Sequence, residues 1–347
     1  MDIDAITNRY TEIVENDLRS IVPSAGSYPK SLEVFYNIFR YHLGWTTASG
    51  KPISGVAGKR IRPVLCLLAC EAAGGDYNHA LPIATSVELL HNFTLIHDDI
   101  QDRSAERRHR PTVWKIWGEA QAINLGDAMY ALGLLALLRL SDKGVRPSLI
   151  NEATVEINRT LLALAEGQFL DISFEKRLDV NIDEYLSMIE RKTAALIGSA
   201  AWLGAYLASD DVELAERYRE FGRGLGIAFQ IQDDILGIWG DPRTTGKPAG
   251  DDILQKKKTL PFVFALGTSE RPQRQRLLDV YRSEKVSDAQ VREATAILDQ
   301  LGAKEYAESQ AKAWYDSALL HLDEAKPSQE AGGKLRMLAS ALLNRSR

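Results

Sequence analysis

Cysteine is nearly absent from this 347-residue chain, which carries only Cys66 and Cys70. That excludes a disulfide-stapled fold and a four-cysteine zinc site. The two lie four apart in an apolar run, one above the other on a helix face, where free cysteines belong to a core. Excess positive charge is missing too. With a formal net charge of -5, no global field attracts nucleic acid or an anionic membrane surface, so an anionic ligand must be held by a local group of cations. A basic start followed by an apolar stretch and a small-residue cleavage site is not found, which predicts a cytoplasmic protein. The longest uncharged run, 193–209, only touches the ~17–25 residues of a membrane span. Containing Gly198, Ser199 and Gly204, it reads as a helix buried in a large soluble fold without stable membrane insertion.

What is present is helical periodicity. Ile3, Ile6, Tyr10, Ile13 and Leu18, then Leu134, Leu135 and Leu138, then Leu161, Leu162, Leu164 and Ala165 recur at amphipathic spacing, and convincing alternating strands are absent. Short polar or Gly/Pro clusters at 23–26, 74–76, 143–147 and 242–248 read as loops between helices. None is long enough for an interdomain linker, and no repeat or low-complexity tract occurs. The expectation is therefore an all-α, single-domain chain over 1–347, with a motif-bearing core at about 55–262 and outer helices at about 270–347.

The segment 86–102 is helical by pattern and ends in Asp98, Asp99 and Asp102. Asp98 and Asp102 stand i,i+4 on one face, where like charges repel unless a cation compensates them. Hard divalent ions take oxygen ligands, and magnesium completes its shell with water and phosphate oxygens, so such a pair is a diphosphate anchor. Arg107-Arg108 and His109-Arg110 come next, supplying forked donors for phosphate. His91, seven residues before Asp98, is near the same face and reads equally as core histidine or phosphate donor. His97-Asp98 alone would also suit a transition-metal hydrolase site, but His42, His79, His91, His109 and His321 are too scattered to complete one.

A second acidic helix repeats the logic in Phe229-Gln230-Ile231-Gln232-Asp233-Asp234-Ile235-Leu236-Gly237, with Gln230 one turn before Asp234. Downstream come Gly246-Lys247-Pro248, Asp251-Asp252 and Lys256-Lys257-Lys258-Thr259-Leu260-Pro261, a cationic segment able to lie over an acidic metal site. Upstream, Gly58-Lys59-Arg60-Ile61-Arg62-Pro63 sets three cations at a helix start, where free N–H groups already favour anions. Singly, each feature also fits a solvated surface. Together they are hard to dismiss.

Taken jointly, GKRIRP at 58–63, HDDIQDRSAERR at 97–108, Lys192-Thr193, FQIQDDILG, GKPAGDD and KKTLP resemble the trans-isoprenyl diphosphate synthase family over about residues 55–262, most closely its short-chain, geranylgeranyl-producing members. The resemblance implies an all-helical bundle around a deep cavity, usually a homodimer, whose substrates are isopentenyl diphosphate and an allylic diphosphate. It further implies that Asp98, Asp102 and Asp233 ligate Mg2+, and that Arg107, Lys192 and Lys258 contact the allylic diphosphate, with Lys247 close by. Lys59, Arg62, His91 and Arg108 match positions holding isopentenyl diphosphate, while Thr193 and Gln230 match groups lining the reacting carbon. Phe93 and Thr94, five and four residues before Asp98, are ~6–8 Å deeper and resemble the chain-length positions of enzymes making the C20 product.

Two departures stand out: Gly237, where the family commonly has a third aspartate, and His109, where a glycine often follows the paired arginines. The first predicts a weaker outer metal shell, the second an altered loop. Three other readings share parts of the pattern. Farnesyl or longer products keep the same chemistry; a class I terpene cyclase shares the fold and DDxxD but lacks a second-diphosphate set such as Lys59, Arg62 and Arg108; a catalytically silent partner subunit is favoured by Gly237 alone.

Overall fold

The computed structural model describes residues 3–24, 26–53, 58, 60–245 and 248–343, and 79% of it is helical. In chain order the helices are α1 Ile3–Ile21, α2 Glu33–His42, α3 Ile61–Ala72, α4 Tyr77–Gln101, α5 Val113–Trp117, α6 Glu119–Leu138, α7 Pro147–Glu175, α8 Ile182–Ile189 and α9 Ala195–Ser209. They continue with α10 Val212–Trp239, α11 Pro242–Thr245, α12 Asp251–Leu254, α13 Leu260–Thr268, α14 Arg271–Arg282, α15 Asp288–Gln300, α16 Ala303–Glu324 and α17 Gln329–Leu343. Contacts divide the chain into two compact units. The first comprises the described residues of 1–157, 200–215 and 327–334, the second those of 158–199, 216–326 and 335–347.

In the first unit, α3 is apolar all round and buried from Pro63 to Cys70, as a helix inside a large core must be. Cys66 and Cys70 are free thiols in that core, as expected. Helix α4 starts at the N-cap Asp76, whose carboxylate accepts the Asn78 N–H at 2.9 Å, and packs against α6. Gly126 and Gly133, seven apart on α6, make that approach possible: a Cβ at 126 would overlap the His97 ring, and one at 133 would lie 2.8 Å from Leu90 Cδ2. The uncharged run 193–209 divides between the units and is buried in each, at Ala200, Ala201, Leu203 and Ala205 in the first and at Ala194, Leu196 and Ile197 in the second. By length and composition only Glu119–Lys143 among the described residues is apolar enough to cross a bilayer.

The second unit is organised on α10, where Ile227, Ile231, Ile235 and Ile238 present one buried stripe. Tyr185 and Ile189 of α8, Phe262 and Val263 of α13, and Leu277, Val280 and Tyr281 of α14 join the same core. So do Ile297 of α15 and Ala303, Ala307 and Ala311 of α16. The C-terminal helices thus supply core as well as outer surface. Two local expectations change. Part of the loop expected at 242–248 is the short helix α11, and a hairpin interrupts the all-helical pattern after α4: β1 Glu106–Arg107 pairs antiparallel with β2 Arg110–Pro111.

Candidate active site

The last turn of α4 sorts its three aspartates by direction. Successive helical residues point about 100° apart, so Asp98 and Asp102 share a face while Asp99 turns inward. Asp99 is buried, Asp98 half-buried and Asp102 exposed at the C-cap, its N–H bonded to the Asp98 carbonyl at 2.8 Å. Arg107 bridges this end of the helix. Its Nε donates to Asp99 Oδ1 at 2.8 Å and its terminal nitrogen lies 3.4 Å from Asp98 Oδ2. Burial raises the Asp99 carboxyl above its ordinary range, and the Arg107 hydrogen bond pulls it partly back. The hairpin carrying Arg107 is the reason it reaches: Arg107 pairs with Arg110 across a two-residue loop, Arg108-His109. Both loop residues have positive φ, 53° and 59°, the signature of a type I′ turn. His109 therefore adopts the conformation for which glycine is the easy choice, and the loop closes without it.

Behind the hairpin, Arg110 donates to the carbonyls of Tyr41 and Thr46 at 3.0 and 2.7 Å and stacks over the Tyr41 ring, while the Tyr41 hydroxyl donates to the Pro111 carbonyl at 2.7 Å. Arg108 is exposed, and its guanidinium covers Gly58, where any Cβ would collide with it. Arg62 lies 3.2 Å from His91 Nε2. Burial, followed by the fields of Arg62, Arg108, Arg107 and Arg60, holds the His91 imidazole well below its usual range, so it stays neutral at physiological pH. His42, a residue with no motif to mark it, is held neutral in the same way, down to about 3, by burial and then Arg107 and Arg108. A cationic cluster thus adjoins the acidic helix end.

The three cations of segment 58–63 do not share one role. Arg60 is buried, with Nε 2.7 Å from Glu15 Oε1, one terminal nitrogen 2.5 Å from Glu88 Oε1 and the other 3.2 Å from the Leu43 carbonyl. It is a structural anchor for the start of α3. Lys59, with Lys247, lies outside the described residues. Phe93 packs edge-on against His97 and Tyr130 of α6, at 4.9 and 5.5 Å between centroids, and the Thr94 hydroxyl is turned back to the His91 carbonyl at 2.8 Å.

In the second unit the acidic pair is sorted alike. Asp233 is half-buried; Asp234 is buried and accepts from Tyr185 Oη at 2.6 Å, the Leu260 N–H at 2.9 Å and Gln230 Nε2 at 3.2 Å. Asp234 therefore caps α13 from another helix. Burial first, then the charge of Asp252, pushes its carboxyl up to about 7. Gln230 Oε1 accepts the Thr193 hydroxyl at 2.8 Å, so Thr193, Gln230, Asp234 and Tyr185 form one hydrogen-bonded chain. Thr193 and Lys192 stand on a π-turn, Glu190–Ala194, between α8 and α9. Gly167 of α7 admits it: a Cβ there would overlap the Lys192 amide and lie 2.7 Å from its Cα. Lys192 Nζ is 2.5 Å from Asp171. Lys258 is buried, its ammonium 2.9 and 3.3 Å from the Lys256 and Glu175 carbonyls, and burial above all pulls its pKa down to about 8.

Residues 45–298 match the family described as Polyprenyl synthetase. The chain belongs to that family. It is a trans-prenyltransferase, an isoprenyl diphosphate synthase. The (2E,6E)-farnesyl diphosphate synthase of Mycobacterium tuberculosis is 40% identical over 317 residues, covering 90% of this chain and 86% of that protein. The geranylgeranyl diphosphate synthase of the same organism is 40% identical over 291 residues, covering 84% and 82%. Among solved structures, a polyprenyl synthetase from Streptomyces coelicolor A3(2) superposes with a TM-score of 0.89 at 34% identity over 99% of this chain and 100% of that one. A polyprenyl synthase from Caulobacter crescentus CB15, complexed with calcium and isoprenyl diphosphate, gives 0.82 at 27% identity over 100% and 98%. The all-α architecture is that of these synthases.

For a polyprenyl synthetase, the donor chemistry at Asp98, Asp102 and Asp233 suits a hard divalent ion, since all three offer carboxylate oxygen. Among the described residues no group of three or more His, Cys, Asp or Glu forms a ready cage. Several residues that matter to this synthase carried no motif signal: Glu15 and Glu88 under Arg60, Tyr185 under Asp234, Gly167 under Lys192, and Tyr130 beside Phe93. Each is a partner distant in sequence from the motif it supports.

Proposed function

We propose that the protein condenses isopentenyl diphosphate with an allylic diphosphate in the presence of Mg2+ to give geranylgeranyl diphosphate. The observation that carries the two-diphosphate reading is the grouping of Arg62, neutral His91 and Arg108 beside the Arg107-bridged end of α4. The guanidinium groups of Arg62 and Arg108 offer forked donors suited to an anion apart from the one drawn to Asp98 and Asp102. Magnesium held by Asp98, Asp102 and Asp233 would offset the charge that develops on the departing diphosphate. Arg107, Lys192 and Lys258, with Lys247, bind that leaving group; Lys59, Arg62, His91 and Arg108 bind isopentenyl diphosphate. The oxygen dipoles of Thr193 and Gln230 face the allylic carbon, kept in orientation by the Thr193–Gln230 bond and by the bond from Gln230 to Asp234. The double bond of isopentenyl diphosphate attacks, a proton is lost, and the chain leaves one isoprene unit longer. The enzyme acts as a soluble, cytoplasmic protein.

Two relatives with different products match at the same 40% identity, so product length rests on Phe93 and Thr94. Because the Phe93 ring also leans on Tyr130, the two aromatics form one barrier in this reading. Pure protein with labelled isopentenyl diphosphate, each allylic starter and magnesium is expected to give a C20 product. Phe93→Ala is expected to lengthen it, and the further change Tyr130→Ala to lengthen it more. An unchanged product distribution in both variants removes the pair from the account, and absence of any elongation removes the function.

The reading includes a homodimer. On α7, Val155, Leu162 and Phe169 stand seven apart and are 40%, 62% and 71% exposed, a solvent-facing apolar stripe at heptad spacing. Sedimentation should find a dimer for the native chain and monomer for Phe169→Glu, since a charge within such a stripe is left unpaired on association. A native chain that sediments as monomer rejects this part.

A further inference from the structure

The second acidic motif lacks a carboxylate at Gly237, one turn beyond Asp233. The space is not empty. A Cβ built on Gly237 would fall on the Asp252 carboxylate, overlapping Oδ2 and Cγ. The Asp252 carboxylate therefore lies directly on the backbone of α10, at the position a 237 side chain would leave from. It is brought there from a different segment, the short helix α12, and it is 8% exposed.

We propose that Asp252 takes the place of the missing motif side chain and is the positioning residue that seats the cationic segment Lys256–Lys258 against α10. The inference rests on the reading that this segment serves diphosphate binding. Four further contacts hold the same segment: the Gly250 N–H donates to the Ile238 carbonyl at 3.1 Å, and the Leu260 N–H to Asp234 Oδ2 at 2.9 Å. The Lys257 N–H donates to the Asp252 carbonyl at 2.9 Å, and Tyr281 Oη to the Lys257 carbonyl at 3.2 Å. Ile253, next to Asp252, is fully buried in the core of the unit. Between these anchors the Asp252 side chain fills the glycine's clearance, with Lys257 Nζ 3.6 Å from it. A side chain at 237 therefore requires the Asp252 carboxylate to move from where it now packs. Restoring the common aspartate at 237 displaces the Asp252 carboxylate, and a third anion joins Asp233 and Asp234 on the same helix.

The test is a cycle of Gly237→Asp, Asp252→Gly and the double variant in the full chain, read by hydrogen exchange of residues 250–260, thermal stabilisation by magnesium with inorganic pyrophosphate, and prenyl-transfer kinetics. Gly237→Asp is expected to speed exchange of 250–260 by about tenfold and to raise KM for the allylic diphosphate about tenfold with a smaller change in kcat. Asp252→Gly is expected to loosen the segment less. The double variant is expected to recover protection and pyrophosphate stabilisation to within about threefold of the native chain. Should Gly237→Asp alone not accumulate as folded protein, recovery of folded protein in the double variant supports the pairing equally. A Gly237→Asp chain as protected and as active as the native one overturns the proposal, and so does a double variant no better than the worse single. Exchange and stability report on the pairing even where no prenyl transfer is seen, so a wrong function and a wrong pairing give different results.

Discussion

Asp98→Ala should lower kcat/KM for prenyl transfer by about 10²–10³, the scale on which removal of one preorganised electrostatic group acts, while leaving the thermal midpoint nearly unchanged. The reason is the division of labour at the end of α4. Asp99 holds Arg107 at 2.8 Å and is buried, so it serves the hairpin; Asp98 is half-buried and farther from the same guanidinium, at 3.4 Å, so its removal disturbs the hairpin less. Asp99→Ala should show the opposite balance, with clear loss of stability from a guanidinium stripped of its buried partner. Steady-state kinetics and chemical denaturation of both variants check this. A loss of less than about tenfold for Asp98→Ala would remove that carboxylate from the metal-diphosphate assignment.

Arg60→Leu should cost about 3–5 kcal/mol of stability, because it leaves the buried Glu88 carboxylate without its cation and the Leu43 carbonyl without a donor. Arg60 has no exposed side-chain surface and joins α3 to Glu15 of α1 and Glu88 of α4, so solvent cannot replace what is lost. Arg60→Lys is expected to recover little, since a single ammonium cannot span three acceptors set in a fork. Arg60→Leu with Glu88→Leu should recover a good part, because removing both charges also removes the uncompensated one. Urea midpoints of the three variants decide it; a single variant within about 1 kcal/mol of the native chain would mean that the ion pairs contribute nothing net.

The two acidic helices illustrate what a sequence can carry. Asp98 with Asp102 was legible because i,i+4 spacing fixes a shared face whatever surrounds the helix. The inward direction of Asp99 and Asp234 comes from the same helical geometry, but their tasks do not. Arg107 comes to Asp99 through a hairpin too short to leave an alternating pattern, and Asp234 caps a helix that starts 26 residues later. The cations of 58–63 were legible as a group and not as individuals, since nothing local tells Arg60 that Glu15 and Glu88 await it. Apolar periodicity marked α7 as a helix without telling its buried side from the exposed stripe at Val155, Leu162 and Phe169. The all-α class needed only periodicity; partners depend on contacts between segments far apart along the chain.

The turn that bears Lys192 holds one residue more than a regular helix would need to cover the same rise. Excising one residue from 190–194 would restore regular winding and change which side chain stands opposite Gly167. Where this lysine points is therefore set by a count of residues, guarded by a hydrogen atom at position 167, and a relative without the extra residue would have to present its ammonium from a neighbouring position in the chain.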